Sequence, residues 1–228
     1  MSTVFSPPPA PTLAIDGSEL RFPVRRLYCV GRNYAAHARE MGKDPDREPP
    51  FFFSKPADAV VESGQDISYP PQTADLHHEG ELAVCLGHGG RDVSAEDATA
   101  LIWGYAIAND LTRRDMQAEA KKLGRPWDLA KGFDHSAAIG PVHHADAAGS
   151  LNRGAIRTYV NGALRQDGDL SEMIWSVPEI IAALSRSIAL LPGDVILTGT
   201  PAGVGALARG DSCAVEIAGL GRIENRIV

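Results

Sequence analysis

Cysteine is scarce: only Cys29, Cys85 and Cys213 occur in 228 residues, and no two form a C-x-x-C pair. Each lies inside an apolar run, which argues against a disulfide framework or a thiolate zinc site and points to buried thiols in a reducing compartment. Long apolar runs are also lacking; none approaches the roughly 18–20 residues that a membrane-spanning helix needs. The N-terminus has no charged-then-apolar signal pattern, so a cytoplasmic location is expected. Basic excess is missing as well, with 22 Lys and Arg against 29 Asp and Glu, a net charge of −7. That balance argues against nucleic acid or an anionic membrane as the main partner. The glycine-rich stretch 199–205 lacks the G-K-[ST] ending of a nucleotide loop, although its backbone amides could receive a carboxylate. No internal repeat or linker divides the chain.

What is present is ordinary globular material, 44% hydrophobic and 22% charged, enough for one large domain with a substantial core. Residues 1–22 carry Pro7, Pro8, Pro9 and Pro11 and read as an extended arm, with a single domain over 23–228. A strand over 24–30 ends at Gly31. A short helix over 33–41 follows, with Gly42 as its stop and a proline-bearing loop over 44–50. His37 and Glu40 are i and i+3 on that helix, so they are either a candidate lid pair or an ordinary surface pair. Residues 51–53 form an apolar strand ended by Lys55, either a site residue or, as is commoner for a strand-end lysine, solvated. Ser94 is expected to cap a helix over 94–102. Thr112 is expected to cap another, running to Leu123 and stopping at Gly124. Arg114 and Gln117 share a face in its first turns, while Arg113, Lys121 and Lys122 read as solvent charges. Residues 127–134, with Lys131, look irregular. The rest reads largely as strands, with a hairpin at Asn161–Gly162 and a helix opened by Ser176 and Pro178.

The chemistry concentrates in residues 77–84 and 108–110. Glu79 and Glu81 are i and i+2, so in an extended chain both project to one side, with Leu82, Val84 and Leu86 on the other. Asp110 ends a second apolar run. Buried like charges need a partner, and three oxygen donors suit a hard cation such as Mg²⁺ or Mn²⁺. The alternative is a solvated strand edge carrying scattered acids.

Five motifs occur in order: residues 30–34 with His37 and Glu40, His77-His78-Glu79-x-Glu81-Leu82, Asp110-x-Thr112-x-Arg114-Asp115-x-Gln117, Ala130-Lys131, and the Thr198–Gly205 loop. From residue 24 onward the chain resembles the fumarylacetoacetate hydrolase superfamily. Residues 25–37 and 49–56 resemble its fumarylpyruvate hydrolases in particular. The resemblance implies an α+β, mainly β fold, a mixed β roll with short peripheral helices, and a homodimer. It implies Mg²⁺ or Mn²⁺ at Glu79, Glu81 and Asp110, a catalytic His37–Glu40 dyad on a lid, and a catalytic lysine at Lys131. Arg114, Gln117 and Thr200 then become substrate donors, with His77, His78 and Asp115 supporting the metal ligands. Three carboxylates around one divalent ion leave a charge of about −1, which makes Lys131 the cation for an anionic substrate. The implied reaction is metal-dependent cleavage of the carbon–carbon bond of a 2,4-dioxo acid, fumarylpyruvate to fumarate and pyruvate in the gentisate route. A 2-oxo acid decarboxylase, an isomerase and a metal-binding module without turnover are the alternatives. Gly80 departs from the bulkier apolar residue usual between the two glutamates.

Overall fold

Every residue of the strand Gly80–Leu86 is buried, and this strand lies at the middle of the main sheet. The computed structural model describes residues 3–40 and 48–228. The sheet runs in the order Phe51–Lys55, Arg26–Gly31, Asp194–Leu197, Gly80–Leu86, Ile102–Asp110, Ala137–Ile139, Val60–Glu62, and His143–His144 also pairs with Ile102–Asp110. It is mixed: Asp194–Leu197 is parallel to Arg26–Gly31 but antiparallel to Gly80–Leu86. A four-stranded sheet, Ala163–Asp169, Ala155–Val160, Ser212–Ile217 and Gly221–Arg226, packs beside it. The architecture is therefore the α+β, mainly β arrangement expected.

Alternation sorts the central strand as predicted, but neither face is left to solvent. Leu82, Val84 and Leu86 join Ile156, Val215 and Ile223 in one core, roofed by Ile180, Ile181 and Leu184 of the helix Val177–Ser187. Ala83 and Cys85 pack on the other side with Ala106, Ala108 and Leu197. That small-residue face is covered by Leu13 and Phe22, at 0% and 5% exposure. Each such burial contributes about 1.5–3 kcal/mol.

Leu13 and Phe22 belong to a hairpin, Thr12–Ile15 with Ser18–Pro23. The arm expected over 1–22 thus lacks regular structure only from residue 3 to Pro11, because two apolar residues beyond the prolines find a sheet to cover. The helix expected over 94–102 is also different. Ser94 Oγ does accept from the Asp97 N–H, but only a 3₁₀ turn, Ala98–Leu101, follows. Ile102 is already paired with Leu86, so sheet formation overrides helix propensity there. The helix Arg114–Leu123 has no side-chain cap, since Thr112 Oγ1 donates instead to the Asp110 carbonyl; Gly124 stops it at φ 63°. The Asn161–Gly162 hairpin forms with both residues at positive φ, 51° and 77°. The stop expected at Gly42 and residues 44–47 of the loop expected over 44–50 lie outside the described residues; residues 48–50 are irregular, as expected. All three cysteines are buried free thiols. Among the described residues no helix is long and apolar enough to cross a membrane.

Candidate metal and acid–base site

Glu81 is the second residue of the central strand and Asp110 the last of its neighbour. Glu79 sits in the break between Leu76–His78 and Gly80–Leu86, where its N–H donates to Asn109 Oδ1 and its carbonyl accepts from the Asp110 N–H. These bonds hold all three carboxylates within 4.8 Å of one another, at 5%, 2% and 1% exposure for Glu79, Glu81 and Asp110. The cluster is buried, so the strand-edge alternative does not apply.

Three cations meet it. Lys131 Nζ donates to Glu79 Oε2 at 2.8 Å and Asp110 Oδ2 at 2.7 Å, from a short helix, Asp128–Lys131, where an irregular segment was expected. It lies 4.9 Å over the Phe53 ring. Arg114 donates to Glu79 Oε1 and, at 2.8 Å, to Gln117 Oε1. Lys55, expected in solvent, is 3% exposed with Nζ 2.8 Å from Asp110 Oδ1. Its protons go to the carbonyls of Leu111 at 3.0 Å, Ser136 at 2.9 Å and Lys131. Asp110 Oδ1 accordingly accepts no hydrogen bond. Lys55 was missed because a strand-end position does not reveal what later segments lay over it. The available signal was the charge count: three buried carboxylates call for more than one cation.

These placements divide the carboxyls. Burial opposes ionisation of Glu79, but Lys131 and Arg114 outweigh it and hold its pKa below the usual range. Burial pushes Glu81 well above that range, and neighbouring Asp110 and Glu79 add to the effect. Burial would lower Lys131, but Asp110 and Glu79 reverse this and raise it. Among the described residues Glu81 has no cation partner of its own; Oε2 accepts the Gly199 N–H at 2.7 Å. An all-oxygen donor set with one carboxylate uncompensated and one oxygen of Asp110 unbonded fits a hard divalent cation. With Lys55, Lys131 and Arg114 counted, the loaded site is about +2 rather than −1.

The helix Ala35–Glu40 places His37 at the same cleft, which is also lined by Glu79, Glu81, Arg114, Gln117 and Thr200. His37 Nδ1 lies 3.2 Å from Glu40 Oε2, and the Glu40 carboxylate accepts the Gly203 N–H at 3.1 Å. Burial lowers the His37 pKa, with Glu79 and Glu40 pulling the other way. The glycine-rich stretch therefore does receive carboxylates, and both belong to the protein. Thr200 donates to the Gly80 carbonyl and accepts from Gln166, so its hydroxyl is engaged on both sides.

The supporting residues act one step further out than expected. His77 contacts Asp75 and Arg114, His78 contacts Gln166, and Asp115 accepts from Thr73 and Ala74. None bonds a carboxylate of the cluster directly; of the three, His77 alone reaches one through a single side chain, Arg114. Burial drives His78 down to about 4, so its ring is neutral beside Gln166. Arg113, expected in solvent, is 9% exposed and lies 4.4 Å over Phe133. Lys121, also read as a solvent charge, is exposed but lines the cleft. At Gly80 a Cβ would meet Thr158 Oγ1 at 2.4 Å and Val215 at 3.0 Å, so the departure there matches crowding from the second sheet.

Comparison with known proteins agrees with this arrangement. The family model for the fumarylacetoacetate (FAA) hydrolase C-terminal domain matches residues 26–228. The chain is 50% identical to a fumarylpyruvate hydrolase from Pseudomonas aeruginosa solved with Mn²⁺ and pyruvate, with a TM-score of 0.97 over 100% of this chain and 99% of that one. It is 41% identical to an oxaloacetate tautomerase of Escherichia coli, over 90% of this chain and 93% of that protein. It is 42% identical to the mitochondrial oxaloacetate tautomerase of Homo sapiens, over 86% and 88%. With its carboxylate cluster, its cations and the match over nearly its whole length, the chain belongs to the fumarylacetoacetate hydrolase family.

Proposed function

We propose that the protein is a divalent-metal-dependent hydrolase of 2,4-dioxo acids that cleaves fumarylpyruvate to fumarate and pyruvate. The observation that carries this reading is that His37, paired with Glu40, lines the same cleft as Glu79 and Glu81 of the carboxylate cluster. Hydrolysis needs a base for water as well as stabilisation of a carbanion, and the cleft offers groups for both. Glu79, Glu81 and Asp110 would hold Mg²⁺ or Mn²⁺, which supplies Lewis-acid polarisation of a substrate oxygen.

His37, with its pKa lowered by burial, is a neutral ring able to accept a proton near neutrality. Glu40 orients the ring through Nδ1 and stabilises the imidazolium that forms. The hydroxide equivalent adds to the 4-carbonyl, and the bond to the neighbouring methylene breaks with its electron pair moving onto that carbon. The proton held by His37 then balances the departing carbanion, giving pyruvate and the free acid. Lys131 and Arg114 place positive charge where the substrate's negative charge develops. The similarity to the Pseudomonas aeruginosa enzyme supports this substrate.

A second reading, keto–enol interconversion of oxaloacetate, is favoured by the similarity to the tautomerases. It moves protons without adding water. The test offers metal-loaded protein fumarylpyruvate and oxaloacetate in parallel. Equimolar fumarate and pyruvate are expected. Accelerated oxaloacetate tautomerisation with no cleavage of fumarylpyruvate would replace the hydrolase reading with the second one.

A further inference from the structure

Two cations on the cleft wall have no task in the chemistry above. Arg32 and Lys121 both line the cleft that holds the carboxylate cluster. Each rests on an aromatic face, Arg32 at 5.2 Å from the Phe51 centroid and Lys121 at 5.0 Å from that of Trp127. The two rings meet edge to face, with centroids 5.4 Å apart, so both cations are mounted on one packed wall.

Arg32 is also held by its backbone. Its φ is 58°, a left-handed conformation uncommon outside glycine. The following residue, Asn33, is fully buried, donating to the Trp175 and Thr198 carbonyls and accepting from the Trp175 N–H. That anchoring fixes the turn from which Arg32 reaches the cleft.

Neither charge is spent within the protein in the way the deeper ones are. Lys55, Lys131 and Arg114 are paired with Glu79 and Asp110. Among the described carboxylates Arg32 approaches only Glu48, at 3.9 Å with that side chain 74% exposed, a contact of little strength. Among the described residues, no carboxylate lies within ion-pair distance of Lys121. Partial burial of the amine, with Arg114 and Arg32 nearby, holds it down to about 8 against the pull of Glu79.

We propose that Arg32 and Lys121 form a subsite for the second carboxylate of a dicarboxylic substrate, making the cleft selective for 2-oxo acids with an anionic far end. The inference rests on reading the carboxylate cluster as the site of the 2-oxo acid end. A neutral acyl group would leave both cations unanswered against the aromatic wall, whereas a terminal carboxylate would gain a charge-assisted bond from each.

The test separates binding from turnover. Calorimetric titration of the Mn²⁺-loaded protein compares 2-oxopimelate with 2-oxoheptanoate, equal in chain length but with and without the far carboxylate. The wild type should bind the diacid at least tenfold more tightly, and Arg32→Gln and Lys121→Met should each lose most of that preference. In parallel, the kcat/KM ratio for fumarylpyruvate over acetylpyruvate should fall tenfold or more in either variant. No diacid preference in the wild type, or a preference that survives the paired substitution, overturns the subsite. If the wild type cleaves neither acylpyruvate, the hydrolase reading fails, and the titration still decides the subsite. Using two substitutions on different elements keeps the result readable if one variant folds poorly.

Discussion

Replacing Lys55 by methionine tests the most unexpected placement in the molecule. Methionine keeps the length and most of the volume of the stem but removes the ammonium that lies 2.8 Å from Asp110 Oδ1 and donates to three carbonyls. Breaking one partner out of a buried ion pair costs about 3–5 kcal/mol. A chain of this size shifts its melting temperature by about 2–4 °C per kcal/mol, so the metal-free variant should melt about 6–20 °C lower. Had the side chain been solvated, as its strand-end position suggests, the change would stay within about 0.5 kcal/mol, or about 2 °C. The two outcomes do not overlap. Thermal unfolding followed by far-ultraviolet circular dichroism on the metal-free proteins reads the difference directly. A shift under 2 °C would refute the buried placement of Lys55 and, with it, its ion pair with Asp110.

Three further outcomes are expected. His37→Ala should lower kcat for cleavage by about 10²–10⁴, while exchange of the methylene protons into D₂O, which needs no activated water, persists; unimpaired cleavage would return His37 to a structural role. Because burial depresses the His37 pKa against the pull of Glu79 and Glu40, the acid limb of kcat/KM should lie below the ordinary histidine value of 6.5; a midpoint above it would contradict that environment. Chelation should abolish turnover and Mg²⁺ or Mn²⁺ restore it, and Glu81→Ala should lose bound metal by elemental analysis; full activity in chelator with no metal present would remove the cluster from the mechanism.

The parts of the site legible in the sequence are those fixed by local geometry. The i,i+2 spacing of Glu79 and Glu81 and the strand-end place of Asp110 bring three carboxylates together because a strand has only two faces. The i,i+3 spacing of His37 and Glu40 likewise survives into a 3.2 Å contact. Asn161–Gly162 folds as read because a two-residue hairpin demands positive φ at both positions. What escaped is decided by distant chain. Lys55 is buried by carbonyls from residues 111, 131 and 136, and Arg113 is covered by Phe133. Nothing near either position in sequence announces that cover. Thr12–Pro23 pairs because a small-residue sheet face needs a lid, which proline-rich surroundings conceal. Residues 94–102 lost their helix to the pairing of Ile102 with Leu86, a tertiary demand set sixteen residues away.

The loop 199–205 grips a carboxylate of the metal cluster at one point and the carboxylate of the acid–base pair at another, through the N–H groups of Gly199 and Gly203. Both grips are main chain, so a scan that trims side chains along the loop removes the donor atoms of neither bond. The link yields only where a Cβ cannot fit: 2.2 Å from the Arg165 carbonyl oxygen at Gly203, 2.7 Å from Asn33 Cβ at Gly199. One short run of backbone thus serves as a shared anchor for Glu81 and Glu40, through peptide N–H groups rather than packed side chains.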